Sequence, residues 1–278
     1  MVANERGFSL AELIVALVIS SIIGAALVGL FVSQTDFYRT EDALRDARFT
    51  ARASMNVFLT DLRMVEVGGG VVAAAARDIQ LRVPYAMGLV CSSTAATTDV
   101  SLFPTDSLSF ANAGFSGWAW RNDNPATWNY VEVNTTRTDP GAASCAAAGI
   151  TTLPDGRRVR LQPGILGLPA GTPVMFFQRI RYAFEESSTL PGRDGLFREV
   201  VAQNLTEELA APFRDTARFR FYVGAAQAQD AVPADLGTIR GLELLLHGES
   251  VNTTSGSDDP LSFELNTSVF FQNRSDAN

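Results

Sequence analysis

The stretch RGFSLAELIVALVISSIIGAALVGLFVSQT, residues 6–35, decides the fold at the N-terminal end of this chain. From Leu13 to Thr35 it has no charged side chain, and most of its residues are Leu, Ile, Val, Ala or Phe. As an α-helix rising about 1.5 Å per residue, it would measure about 35 Å, enough to cross a hydrocarbon core of about 30 Å. The sequence therefore predicts a membrane-spanning helix, in which Gly24 and Gly29 favour close packing against other helices.

The residues before this helix form a short polar leader, Met1 to Gly7, with Arg6 next to the apolar stretch. Positive charge at one end of a span favours the cytoplasmic side, so we expect an inside N-terminus and an outside body. A conventional secretory signal would instead be cut after the apolar region, and Gly24-Ala25-Ala26 offers small residues of that kind.

The run Arg6-Gly7-Phe8-Ser9-Leu10-Ala11-Glu12, leading into Leu13 to Leu17, resembles the type IV prepilin signature. That signature has a Gly at the end of a basic leader, an aromatic start residue, and a lone Glu just inside an apolar helix. In the family, a prepilin peptidase in the membrane cuts after the Gly and methylates the new amine. The resemblance implies cleavage between Gly7 and Phe8, an N-methylated Phe8, and a mature chain of 271 residues, 278 minus 7.

Glu12 has two interpretations, because an ionised carboxylate at the edge of a bilayer needs a partner. In the first, Ser9 is the N-cap and Glu12 the third helical residue of a capping box. In the second, which follows from the resemblance, Glu12 pairs with the amine of Phe8 in its own or a neighbouring chain and guides subunit docking. Both contacts can coexist.

The next segment, Asp36 to Val67, keeps a helical period, with apolar residues spaced by threes and fours: Leu44, Ala47, Ala51, Met55, Phe58, Leu62 and Val65. The opposite face is charged, includes Asp61, and offers a Glu41 to Arg45 pair. We expect one long helix that ends at Val67, before Gly68-Gly69-Gly70. The predicted organisation is a leader (1–7), a helix (8–67, with 8–35 in the membrane), and an extracytoplasmic head (68–278).

The head reads as short runs of β-type residues separated by Gly, Pro, Asn and Asp. The predicted strands are Ile79–Val83, Ser107–Phe110, Tyr130–Val133, Val159–Leu161, Val174–Phe177, Ile180–Glu185, Gly195–Val201, Ala217–Val223, Ile239–Leu246 and Phe263–Gln272. The segment 88–156 reads as a loop-rich insertion. The predicted fold class is therefore α+β, a long N-terminal helix packed on an antiparallel sheet.

Several runs of the head resemble minor pilins of the PilW class and minor pseudopilins of the PulJ/GspJ class. They are Thr172 to Phe177, Ile180 to Phe184, Leu196 to Glu199, Arg218 to Val223, Ser268 to Arg274, and the helical run Ala51 to Arg63. These similarities consist of hydrophobic patterns with a few polar anchors. They are less specific than the N-terminal signature.

Composition argues against several other classes of function. The net charge of −8 disfavours direct nucleic-acid binding, which needs clustered cations. His247 is the only histidine, and with two distant cysteines neither a histidine-based triad nor a typical zinc site can be assembled. Asp123, Asp258 and Asp259 read as solvated turn carboxylates rather than calcium ligands. We therefore expect no cofactor, no metal and no enzymatic activity.

Two features of the head leave alternatives open. Cys91 and Cys145 either form one disulfide closing a long loop, as an oxidising compartment would allow, or remain two thiols. An aromatic cluster is either a recognition surface or a small satellite core; it comprises Phe115, Trp118, Trp120, Trp128 and Tyr130.

The sequence predicts a minor pilin or minor pseudopilin that waits in the inner membrane and then enters a pilus or pseudopilus with other minor and major subunits. The machine is a type IV pilus, a type II secretion system or a DNA-uptake system. The alternatives are a binding protein with an uncleaved single-pass anchor and an exported carbohydrate-active enzyme using paired carboxylates such as Glu185 and Glu199.

Overall fold

The computed structural model describes residues 9–122, 127–132, 136–138, 143–150, 157–224, 227–253 and 259–271. These residues form a long N-terminal helix followed by an antiparallel sheet, which confirms the predicted α+β class. Helix α1 (Leu10–Leu62) is continuous over 53 residues, about 80 Å at the usual helical rise.

The predicted end of the helix at Val67 is wrong, because α1 ends at Leu62. Val65 lies beyond this end and is fully buried, so the chain stays packed on the core after the helix. Gly70 completes the turn that follows, donating its N–H to the carbonyl of Glu66 at 3.1 Å. A Cβ at Gly70 would lie 2.3 Å from that same oxygen. The glycines therefore shape the entry into the first strand rather than stop the helix.

Thirteen strands of the described residues form one sheet. They are β1 (Val71–Ala75), β2 (Asp78–Ser93), β3 (Thr98–Leu102), β4 (Gly117–Arg121), β5 (Trp128–Glu132), β6 (Thr136–Thr138), β7 (Arg158–Gln162), β8 (Pro173–Glu186), β9 (Asp194–Val200), β10 (Leu205–Phe213), β11 (Arg218–Val223), β12 (Ile239–Thr253) and β13 (Pro260–Phe270). Two short helices, α2 (Asp106–Asn112) and α3 (Ala143–Ala147), lie in the same region.

Every predicted strand except one overlaps an observed strand. The exception is Ser107–Phe110, which lies inside helix α2, so that prediction is wrong. Its four residues are too few to distinguish a buried strand from one helical turn. The predicted insertion, 88–156, contains β3, β4, β5, β6, α2 and α3 among its described residues.

The sheet runs in the order β11, β12, β10, β9, β8, β2, β3, β7, β6, and every pairing is antiparallel. Three additions branch from this path: β1 pairs with β2, β13 with β12, and the β4–β5 hairpin with β8. The strands β2 and β8 are long enough to join two cores. One end of each strand contributes to the core under α1, through Ile79 and Tyr182. The other end contributes to a second core, through Val90 and Phe176.

Candidate functional site

The start of α1 is held by a reciprocal capping box. The Ser9 hydroxyl accepts the backbone N–H of Glu12 at 3.2 Å, and Glu12 Oε2 accepts the backbone N–H of Ser9 at 3.0 Å. The Ser9 hydroxyl also donates to the same carboxylate oxygen at 3.1 Å. The capping interpretation of Glu12 is therefore present in the structure, and it fixes the carboxylate at the first turn of the helix.

The apolar half of α1 packs against nothing within the described chain. Its large side chains, from Leu10 to Val32, are each about half exposed or more, with Leu10 at 80% and Phe31 at 65%. The described residues contain one helix long and apolar enough to cross a membrane, judged by length and composition, and it is α1. An apolar surface of this extent marks a site for lipid or for other protein chains.

Two hydroxyl groups of the apolar segment form hydrogen bonds within the helix itself. The Ser21 hydroxyl donates to the carbonyl of Val18 at 2.8 Å, and the Thr35 hydroxyl to that of Phe31 at 2.8 Å. At Gly24 and Gly29 an added Cβ would meet nothing within 4 Å. These two glycines therefore leave shallow places on the outer surface, where another helix can approach closely.

The second half of α1 is part of the head. Ala47, Ala51, Phe58 and Leu62 are fully buried, as the helical period predicted. Gly248 of β12 permits the close approach, because a Cβ there would lie 3.0 Å from the carbonyl oxygen of Ala47. The apolar segment is thus carried at the end of a helix that is rigidly seated on the sheet.

A polar clamp fastens the end of α1, and it involves Asp61, a residue of the charged face of the helix. Asp61 accepts the Tyr182 hydroxyl at 2.6 Å and the Arg198 Nε at 3.0 Å. Burial, followed by the charge and hydrogen bond of Asp61, raises the pKa of Tyr182, so its hydroxyl remains a donor at neutral pH. The side chain of Asp61 is only 15% exposed.

The structure describes only some of the predicted N-terminal site residues. Gly7 and Phe8, the predicted cleavage residues, lie outside the described residues. Glu12 is held in the capping box. Glu41 and Arg45 lie one turn apart on α1 but form no ion pair among the described residues.

In the head, Cys91 and Cys145 are joined by a disulfide across 54 residues of sequence. It ties α3 to β2, and both sulfur-bearing residues are buried. Trp118 is fully buried in the second core, and the ring of Trp120 lies beside it, with the centroids 5.3 Å apart and the planes tilted by 38°. Tyr130 packs at the edge of Phe177 in a neighbouring small cluster, so the aromatic residues fill satellite cores.

The remaining candidate residues form structural contacts. Arg181 pairs with Glu185 at 2.6 Å and with Glu199 at 3.5 Å. His247 contacts Thr216 and lies 3.6 Å from Glu264. A search of the described ranges finds no group of three or more His, Cys, Asp or Glu residues placed to hold a metal ion. Asp123 and Asp258 lie outside those ranges.

Comparison with known proteins identifies the N-terminus. A family model described as the prokaryotic N-terminal methylation motif matches residues 2–28. The chain therefore carries a type IV pilin-like signal, which covers the leader, the predicted cleavage site and the first part of α1. No curated protein and no solved structure matches the chain. The similarity of the head to the PilW and PulJ/GspJ classes stays a prediction.

Proposed function

We propose that this protein is a minor pilin or minor pseudopilin, a structural subunit that initiates or caps a type IV pilus or a type II secretion pseudopilus. One observation carries the proposal: a methylation motif begins a helix whose first half is an uncovered apolar rod and whose second half is built into a large head. Such a subunit can be stored in a membrane and later pack by the same surface into a bundle of similar helices.

The membrane arrangement that we propose is a single pass with the head outside the cytoplasm. Arg6 before the span favours a cytoplasmic N-terminus. The Cys91–Cys145 disulfide supports an oxidising compartment for the head. The inner membrane would then be the first location, and the filament the second.

Glu12 is the proposed assembly residue. Its Oε2 accepts bonds from both the backbone N–H and the hydroxyl of Ser9. A carboxylate fixed at a helix start and surrounded by apolar side chains strongly favours a cationic partner. We propose that this partner is the amine of Phe8 after cleavage, in the same chain or in the neighbouring subunit.

The minor role rests on the size of the head. Residues 68–278 follow the helix, and they form a sheet of thirteen strands among the described residues. In a filament made only of such subunits the heads would crowd one another. We therefore propose that only a few copies are incorporated, at or near the tip. The partners in this scheme are a prepilin peptidase and other minor and major pilins or pseudopilins.

We further propose that the protein has no enzymatic activity. The carboxylates considered for glycoside hydrolysis, Glu185 and Glu199, share the guanidinium of Arg181, which also pairs with Asp78. Ion pairing of this kind suits the surface of a sheet better than general acid catalysis, which requires a raised carboxyl pKa.

The test replaces Glu12 by Gln in cells that lack the native copy, with Glu41→Gln as the matched control on the exposed part of the same helix. Processing is measured by intact mass, and assembly by recovery of the protein with sheared filaments or cross-linked pilins. We expect E12Q to be processed but to enter filaments about tenfold less, because it loses the ion pair with the Phe8 amine; a tenfold loss corresponds to about 1.4 kcal/mol. Equal incorporation of both variants would refute the assembly role and favour an anchored binding protein.

A further inference from the structure

A cavity of about 310 Å³ opens where the end of α1 meets β2, β5 and β8. Three methionines (Met64, Met87 and Met175) and two aromatic residues (Tyr85 and Trp128) form much of its wall. Met64 and Met87 are 47% and 42% exposed, so the cavity is open to solvent. Its volume is at the lower end of the range for small-molecule sites, roughly 300–1,000 Å³. Flexible thioether side chains adapt readily to a ligand.

The cavity also carries negative charge. Glu66 and Asp106 line it, and none of its described lining residues is cationic. Glu66 is only 6% exposed, so its charge acts through protein rather than through bulk water. Burial, and then the charge of Glu66, raise the pKa of the adjacent Tyr130 hydroxyl, while the nearby charge of Arg82 lowers it. Asp106 is fixed in place, since it accepts the backbone N–H of Met87 at 2.8 Å.

We propose that this cavity binds an organic ammonium group, a quaternary or protonated amine that carries a small apolar body. Aromatic faces attract such cations, and the two carboxylates supply the opposite charge. The methionine side chains give the apolar body a surface to contact. A hard cation such as Ca²⁺ or Mg²⁺ would gain nothing from these thioether and aromatic walls beyond the two carboxylates, and an anion would be repelled.

The position of the cavity restricts the source of the ligand. The apolar segment of α1 ends at Thr35, and the helix continues for 27 residues to Leu62 beside the cavity, about 40 Å further along the axis. A lipid headgroup at the membrane surface does not reach that far. The ligand is therefore a soluble amine or a cationic side chain of another protein.

The test uses the full chain in a detergent without choline groups, with isotope-labelled methionine methyl groups observed by NMR. Choline is titrated into the millimolar range, in parallel with its uncharged isostere dimethylbutanol. We expect choline to shift the signals of Met64, Met87 and Met175. The signal of Met55, which packs on the main core, should stay in place. No shift at the three methionines, or equal shifts with the uncharged isostere, would overturn the proposal.

Two variants test whether choline binding depends on the charge of Glu66. Glu66→Gln should weaken choline binding about tenfold, whereas Glu264→Gln, which removes the same charge from the exposed face of β13, should leave it unchanged. Equal weakening in both variants would show that binding depends only on the net charge of the protein, and it would refute the proposed site. Should Glu66→Gln fail to fold, the choline and isostere titrations of the unaltered protein still decide. A capped lysine amide that binds more tightly than choline would identify a protein side chain as the source; the reverse order would identify a small molecule.

Discussion

Replacing Phe58 by Ala tests whether the second half of α1 is part of the core of the head. Phe58 is fully buried and meets the ring of Tyr182 edge to face, with centroids 4.9 Å apart. The ring of Phe219 lies 5.6 Å away on the other side. Truncating a buried Phe to Ala costs about 3–5 kcal/mol, of which the edge-to-face pair accounts for about 1 kcal/mol. Because whole domains are stable by about 5–15 kcal/mol, the loss is large.

The matched control lies nine residues earlier on the same helix. Phe49 is 73% exposed, so Phe49→Ala should stay within about 0.5 kcal/mol of the unaltered protein. Both variants would be unfolded by urea as full chains in detergent micelles and followed by the fluorescence of the tryptophans in the head. If Phe58→Ala is no more destabilised than Phe49→Ala, the helix is not seated on the sheet and the reasoning fails.

Two further predictions concern the head. Reducing the Cys91–Cys145 bond, which closes 54 residues, should lower the free energy of unfolding by about 4 kcal/mol on the chain-entropy estimate; urea titrations with and without reductant measure this, and an unchanged midpoint would contradict it. Burial alone would raise the pKa of Glu208, but hydrogen bonds from Ser187 and Ser188 hold the pKa below the ordinary value of 4.5. The ionised carboxylate therefore stabilises the folded protein above pH 4.5, and this stabilisation is lost as the pH falls through the lowered pKa. Urea titrations across this window should show a shallower pH dependence for Glu208→Gln, and parallel curves would contradict the assignment.

The features that were predicted from the sequence are those determined by residues that lie close together in the chain. The methylation motif, the capping box of Ser9 and Glu12, and the apolar run to Thr35 are all local. The same holds for the buried helical period through Phe58, because spacing along one helix directly determines its buried face.

The missed features depend on residues far apart in the chain. Strand β10, Leu205–Phe213, is rich in Glu and Ala and contains Pro212, so its own residues do not favour a strand. It forms because β9 pairs with it. The hydrogen bond between Asp61 and Tyr182 was not predicted, because the two residues lie 121 positions apart in the sequence. The methionine-lined cavity was not predicted either, since the turn after α1 and the elements β2, α2, β5 and β8 each contribute part of its wall.

The most direct test of the central claim is the intact mass and N-terminal sequence of the protein recovered from native membranes. The account predicts a chain that begins with N-methylated Phe8, as the family match at residues 2–28 implies. A chain that begins at Met1 would indicate an uncleaved anchor, and one that begins near Ala26 would indicate a conventional export signal. Either of those two results would contradict the proposal that this protein is a filament subunit.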